Sequence, residues 1–331
     1  MKVIVVSIAV FLLCTDNAFC QRFSQFYTNP LVNNPASTGM FNQTYRYGGS
    51  FKSEESRGAI QSAFSIEGKF FSSIIPANDG FAIGLVGHLD KNKNDGVVNT
   101  NYFLSIAYNK ALDDDGNHIL SAGFQPALSR KKINRPLIIF PDQMNNWLNS
   151  GYTFHDFFPS TNVDFTYLDM NVGIAYQGLI GKTRFGVGTA VKHINNPSKS
   201  FNGGNFILKR SFVHHLSVQR ELQNENVFYS ALLVEHSGSS IDWSSVGLTY
   251  QKKVKNNISI SGGTWVVYDK MRGYSIRPEI GLSLRKFNLN FSFEISFTQK
   301  NPNQGSVFEA SFNDLQANSR THFLENRFIK F

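Results

Sequence analysis

Phe287-Asn288-Leu289-Asn290-Phe291-Ser292-Phe293-Glu294-Ile295-Ser296-Phe297-Thr298 alternates without a break. Odd positions carry Phe, Leu and Ile; even positions carry Asn, Ser, Glu and Thr. Successive side chains of a β-strand point to opposite faces, so this stretch has one wholly apolar face and one polar face. A tilted strand crossing a bilayer needs about 9–11 residues. Strands of solvated sheets also alternate, but they are usually nearer about 5–6 residues. The stretch therefore predicts a membrane-crossing β-strand.

The same pattern extends outward from it. Ile60, Ser62, Phe64, Ile66, Gly68 and Phe70 share one face, against Gln61, Ala63, Ser65, Glu67 and Lys69. Tyr274, Ile276, Ile280, Leu282 and Leu284 form a third series. Hairpin signals divide the runs: Asn78-Asp79-Gly80, Asp95-Gly96, Asp115-Gly116-Asn117, Asn202-Gly203-Gly204 and Lys255-Asn256-Asn257. Further strands are expected at 44–52, 80–89, 99–110, 118–129, 165–177, 183–194, 211–220, 226–237, 242–253, 257–267 and 304–313. With 60–70, 275–285 and 287–298 the total is about 14, an even number that suits a bacterial barrel. An open sheet edge in hydrocarbon leaves unpaired amides, so the sheet must close. The fold expected is an all-β, antiparallel transmembrane β-barrel.

The start of the chain reads as an export signal. Lys2 supplies a positive charge, Val3 to Leu13 is apolar apart from Ser7, and Ala18-Phe19-Cys20 places small residues at −3 and −1. This run is shorter than the roughly 20 residues of a spanning helix, so 1–20 is expected to be a removed signal peptide, with 21–331 as one barrel domain. A lipoprotein modified at Cys20 is the alternative. Cys14 and Cys20 are the chain's two cysteines; cleavage after Cys20 leaves no thiol for a disulfide, a nucleophile or a metal. Mean hydropathy is −0.22, a value compatible with a barrel because lipid-facing and lumenal residues average out. The net charge of +8 suits anionic surfaces, but no nucleic-acid-binding motif accompanies it and no such partner is expected.

No constellation for chemistry appears. Asp90 to Gly96 resembles the start of a calcium loop, yet Asp95 stands where glycine is needed and Asn101 where the bidentate glutamate belongs. Asp113-Asp114-Asp115-Gly116 reads as a turn. His214 and His215 are neighbours on one strand, point to opposite faces and cannot chelate together. Gly186-x-Gly188 lies in an alternating run and suggests close strand packing. No catalytic, cofactor-binding or metal-ligating residue is expected, and the chain is not expected to be an enzyme.

Two stretches do not alternate: Gln21 to Phe41, rich in Asn and Pro, and Lys131 to Asn162. The first opens Phe23-Ser24-Gln25-Phe26-Tyr27, continues through Asn29-Pro30 and Asn34-Pro35-Ala36 to Gly39, and is followed by Tyr45-Arg46. Together with His193-Ile194-Asn195-Asn196-Pro197, this resembles the PorP/SprF family. Asp169-Met170-Asn171-Val172-Gly173, Phe140-Pro141-Asp142-Gln143 and Gly305-Ser306-Val307-Phe308-Glu309 are similar too. Tyr47-Gly48-Gly49-Ser50 departs from the family's "QW" after "YR". The resemblance implies an outer-membrane barrel that works with the type IX secretion machinery. It also implies secreted cargo with a C-terminal sorting domain, such as gliding adhesins. On residue pattern alone, an uptake or diffusion channel and a soluble periplasmic β-protein stay open as alternatives.

The resemblance singles out Gln25, Phe26, Tyr27, Asn29, Pro30, Asn34, Pro35, Gly39, Tyr45, Arg46, His193 and Pro197 as family-motif positions for docking. Proline fixes its own φ and biases the residue before it away from helix. Phe26, Tyr27 and Leu31 are then expected on a stiffened backbone, either presented to a partner or packed in the barrel floor. The 131–162 insertion carries Phe140, Trp147, Tyr152, Phe154, Phe157 and Phe158 and is expected over the barrel mouth or under a partner. A basic periplasmic tail is expected after the last strand, with Phe331 as a terminal assembly signal the alternative.

Overall fold

The computed structural model describes residues 22–41, 43–55, 58–70, 79–93, 96–133, 163–198, 207–255, 257–284, 287–297 and 307–316. The signal segment, most of the insertion, the C-terminal tail, Phe140–Gln143 and Gly305–Ser306 lie outside them.

Among the described residues are fourteen strands: β1 (Tyr45–Glu54), β2 (Ala59–Phe70), β3 (Gly80–Asn92), β4 (Val97–Ala111), β5 (His118–Ile133), β6 (Val163–Ile180), β7 (Thr183–Lys192), β8 (Ser211–Glu221), β9 (Val227–Ser237), β10 (Ser240–Lys255), β11 (Ile258–Asp269), β12 (Gly273–Leu284), β13 (Phe287–Ser296) and β14 (Val307–Gln316). Each coincides with one sequence candidate. They form one closed antiparallel barrel in chain order, with β14 paired to β1. Hydrogen-bonded partners followed from Val163 of β6 round through β1 and back return to β6 at Gln177, fourteen residues along the same strand. A stagger equal to the strand number tilts the strands by about 35° to the axis.

The faces are sorted as the alternation requires. Phe291, Phe293, Ile295 and Phe297 point outward and are exposed, while Asn288, Asn290 and Ser292 are buried inward. On β2, Phe64 and Ile66 are exposed, and Gln61, Ser65 and Glu67 are buried.

β1 begins and β14 ends at the same barrel mouth. Connections there are mostly short, such as 181–182, the longest being 71–79; the opposite mouth has the longest two, 134–162 and 193–210. Short turns face the periplasm in such barrels, so the first mouth is the inner one. β5 continues through Lys131 and Lys132 to Ile133, which corrects the expected start of the insertion at Lys131. Arg130 and Lys132 are exposed there. The strand has passed beyond the apolar belt, so its outward face carries charge and hydrophobic alternation no longer marks it.

Candidate functional site: a segment threaded through the lumen

Arg22 to Phe41 lies inside the barrel. Arg22 is ion-paired with Glu235, near the outer end of β9, and its carbonyl accepts from Lys52 Nζ at 2.8 Å. At the other end, the Phe41 carbonyl accepts from Lys69, and Arg46 lies over the Phe41 ring at 4.9 Å. The segment thus descends from the outer to the inner mouth and turns into β1.

Both Asn-Pro pairs start a 3-10 turn, Pro30–Val32 and Pro35–Ser37. Proline suits the first helical position because its missing N–H would have no partner there. The Asn34 side chain caps the second turn by accepting from Ala36 N at 2.9 Å. Its Nδ2 donates to the carbonyls of Ile174 (3.2 Å) and Thr189 (3.4 Å), which ties the turn to β6 and β7.

Four inward carboxylates of the wall grip the segment. Glu309 on β14 accepts from Ser24 N (2.9 Å), Ser24 Oγ (2.8 Å) and Gln25 N (2.8 Å). Glu67 on β2 accepts from Gly39 N (2.8 Å) and Arg46 Nε (2.6 Å). Glu279 on β12 accepts from Tyr27 Oη (2.5 Å) and Trp265 Nε1 (2.7 Å). Glu235 takes Arg22, Ser211 and Lys192. None of the four is more than 3 % exposed. A buried charge without donors costs several kcal/mol, so these acids and the segment's N–H groups need each other. Phe26 meets Trp265 edge-on at 5.7 Å, and Tyr27 stacks on Trp265 at 5.2 Å.

The turns touch the wall where it lacks side chains. A Cβ on Gly123 would stand 2.4 Å from Ala36 N, and one on Gly173 would stand 2.0 Å from Asn34 Oδ1. On the opposite side the wall stands off. A cavity of about 210 Å³ lies mainly between the segment and β8–β14 and reaches Tyr176 of β6 and Arg184 of β7; Tyr27, Tyr229, Gln251, Ser283, Asn288 and Asn313 are among its lining. At the inner rim, Asp79 accepts from Tyr108 Oη (2.7 Å), Lys110 Nζ (3.0 Å) and Ala111 N (2.8 Å). The Tyr108 hydrogen bond, then those of Lys110 and Ala111, outweigh burial and hold its carboxyl below the ordinary range.

Of the sequence-singled residues, Gln25, Phe26, Tyr27, Asn29, Pro30, Asn34, Pro35 and Gly39 line the thread; Tyr45 and Arg46 open β1 at its inner end. Gln25, Phe26, Asn29, Asn34 and Pro35 are buried. Phe26 and Leu31 are buried in the lumen, and Tyr27 is committed to Glu279 and Trp265. His193 and Pro197 sit apart, at the outer end after β7. His193 Nδ1 lies 2.7 Å from Asp169 Oδ2, and its N–H donates to Asn171 Oδ1 at 3.1 Å. Asn171 donates to Gln125 (3.0 Å), and Gln125 donates to the Leu31 carbonyl (3.1 Å), so one hydrogen-bonded chain links this block to the thread. Sequence reasoning missed Glu235, Glu279 and Glu309. The available signal was a carboxylate on the inward face of an alternating strand, which needs donors from somewhere.

The family model for type IX secretion system membrane proteins PorP/SprF matches residues 20–313. The chain belongs to the PorP/SprF family. It is accordingly a membrane protein of type IX secretion, located in the outer membrane. Among solved structures, the barrel is similar to the CymD monoaromatic hydrocarbon channel, with a TM-score of 0.51 at 12 % identity, covering 88 % of this chain and 93 % of that one. The Pseudomonas putida toluene transporter TodX is similar at a TM-score of 0.47 and 10 % identity, covering 88 % and 94 %. At these identities the likeness concerns the fold alone. A search of curated protein sequences found no match.

Proposed function

We propose that this PorP/SprF protein is a non-catalytic barrel that assists the secretion or surface attachment of cargo bearing a C-terminal sorting domain, gliding adhesins among them. The observation that carries the reading is the filled lumen. Arg22 to Phe41 occupies the barrel from mouth to mouth and supplies donors to four buried acids. A folded cargo has no conduit here, and an assisting role at the membrane uses the barrel as an anchor. The outward apolar belt takes outer-membrane lipid, and the barrel rims, with the His193–Pro197 block on the outer one, are left for machinery or cargo. The mature chain is one barrel domain from residue 21, after removal of a signal peptide.

The test is comparative proteomics of the cell surface and medium in a strain lacking the gene. Cargo with the sorting domain should vanish from both and accumulate in the periplasm, while other outer-membrane proteins stay level. The second reading, a channel for small solutes, is favoured by the 210 Å³ cavity beside the thread. It predicts unchanged cargo and slowed uptake of a solute, so the same strain separates the two.

A further inference from the structure

His214 and His215 part ways as strand neighbours must. His215 turns inward to the thread, where its Nε2 lies 3.0 Å from Asn34 Nδ2. His214 turns outward and meets a histidine of the next strand. β8 and β9 pair Phe212 with His236 and His214 with Val234, so His214 and His236 are diagonal neighbours on the outer face. Their rings lie nearly parallel, with centroids 5.3 Å apart and planes at 19°. Their Nε2 atoms are 3.2 Å apart.

Each ring is held from behind. His236 Nδ1 lies 2.9 Å from the Gly238 carbonyl. A carbonyl only accepts, so Nδ1 carries the proton and Nε2 presents a lone pair. His214 Nδ1 lies 3.0 Å from Thr189 Oγ1 on β7, which can accept a hydrogen bond from an Nδ1–H and leave His214 Nε2 free in the same way. Phe212 stacks on the other side of His236 at 5.2 Å. An Nδ1 fixed by a second-shell oxygen with Nε2 directed outward is the usual arrangement of a metal-binding imidazole.

The pair stands at the outer edge of the apolar belt. His236 is one residue from the end of β9, and the exposed Leu216, Val218 and Leu232 lie further toward the inner mouth on the same strands. Water and headgroup anions reach this level. Among the described residues no three His, Cys, Asp or Glu side chains converge, so these residues offer two donors.

We propose that His214 and His236 form a two-imidazole site for a divalent transition metal ion, Zn²⁺ or Cu²⁺, on the outer rim of the barrel. Two imidazoles suit these ions, with Cu²⁺ the tighter by the general affinity order. Binding moves the proton of His214 from Nε2 to Nδ1, where the N–H donates a hydrogen bond to Thr189 Oγ1, and both Nε2 lone pairs go to the metal. The bound ion clamps the outer ends of β8 and β9. On the inward face of those ends, Ser211 donates to Glu235, and Glu235 pairs with Arg22 of the thread.

The probe is Cu²⁺ titrated into full-length, tag-free protein in detergent, followed by electron paramagnetic resonance, with Zn²⁺ added in competition. One equivalent should bind with the hyperfine pattern of two nitrogens, and Zn²⁺ should displace it. His236→Phe and His214→Leu should each weaken binding by about 100-fold or more, and Thr189→Val by about 10-fold, as second-shell losses do. The heat-dependent gel shift of the folded barrel checks that each variant is assembled. Saturable two-nitrogen binding that persists in both histidine variants overturns the site. So does a folded wild-type protein with no saturable Cu²⁺ binding.

Discussion

The two sides of the lumen treat the threaded segment differently. On the β3–β7 side the wall is cut back to glycine: Leu31 of the Pro30–Val32 turn lies on it at Gly84, and the Pro35–Ser37 turn at Gly123 and Gly173. On the β8–β14 side the grip comes from long acidic side chains, Glu235, Glu279 and Glu309, which reach across to Arg22, Tyr27, Ser24 and Gln25. Below that reach the wall carries neutral amides and hydroxyls and leaves a cavity. Shape complementarity fixes where the segment lies, and directed hydrogen bonds fix its height. The first tolerates no added atoms, and the second tolerates no lost ones.

The largest effect should come from removing an acid. Glu309→Ala leaves Ser24 N and Gln25 N without their acceptor and takes from the Arg277 guanidinium, 3.1 Å from Glu309 Oε2, one of its two carboxylate partners, Glu294 remaining. Breaking a buried charged pair costs about 3–5 kcal/mol. The temperature of the gel-shift transition in detergent should fall markedly, and Glu309→Gln should fall less. A wild-type transition in Glu309→Ala would end the idea that the acids hold the segment.

Adding atoms on the glycine side comes next. Gly123→Val drives a side chain into Ala36 and should cost about 1–3 kcal/mol, as overpacking does. It should also raise conductance in planar bilayers, because the turn is pushed off the wall. Ser283→Ala, on the cavity side, should leave conductance at the wild-type level. Equal conductance in the two variants would erase the distinction between the sides.

A smaller effect depends on pH. The folded-state pKa of Asp79 is lowered, so its contribution is complete above the ordinary value of 3.8 and fades as pH falls through the lowered one. Asp79→Asn should therefore lower stability modestly at neutrality and flatten the acid limb below about pH 4, where variant and wild type converge. An unchanged acid limb would remove Asp79 from the account of the inner rim. Smallest of all is Thr249→Val on the cavity side. Its buried hydroxyl has no protein partner, so the change should stay within about 0.5 kcal/mol of wild type. A large loss there would mean that the cavity wall supports the segment after all.

The wall was legible because each strand of it repeats one decision, inward or outward, every second residue. Phe287 to Phe297 states that decision six times. Legibility failed where the surroundings changed: β5 beyond Ser129 leaves the apolar belt, and Arg130 and Lys132 then alternate in a way hydrophobicity does not record. The threaded segment was only half legible. Asn29-Pro30 and Asn34-Pro35 announced two turns, and both turns are present. Which side of the wall the second one rests on depends on Gly123 and Gly173, more than eighty residues away in sequence. Neither glycine differs locally from any other glycine in a strand. Glu67 and Glu294 were visible on polar faces, but a polar face does not say whether water or a peptide N–H will meet it.

The grip of Glu309 on Ser24 and Gln25 joins the chain's two ends inside the lumen, just as β14 and β1 join them in the wall. Those two junctions check one another during closure. A slip of β14 by one residue against β1 would turn every one of its side chains to the opposite face. Glu309 would then face hydrocarbon, and the amides of Ser24 and Gln25 would lose their acceptor. A mis-set seam therefore fails in two places at once, so the first residues of the folded chain act as a gauge for the register of its last strand.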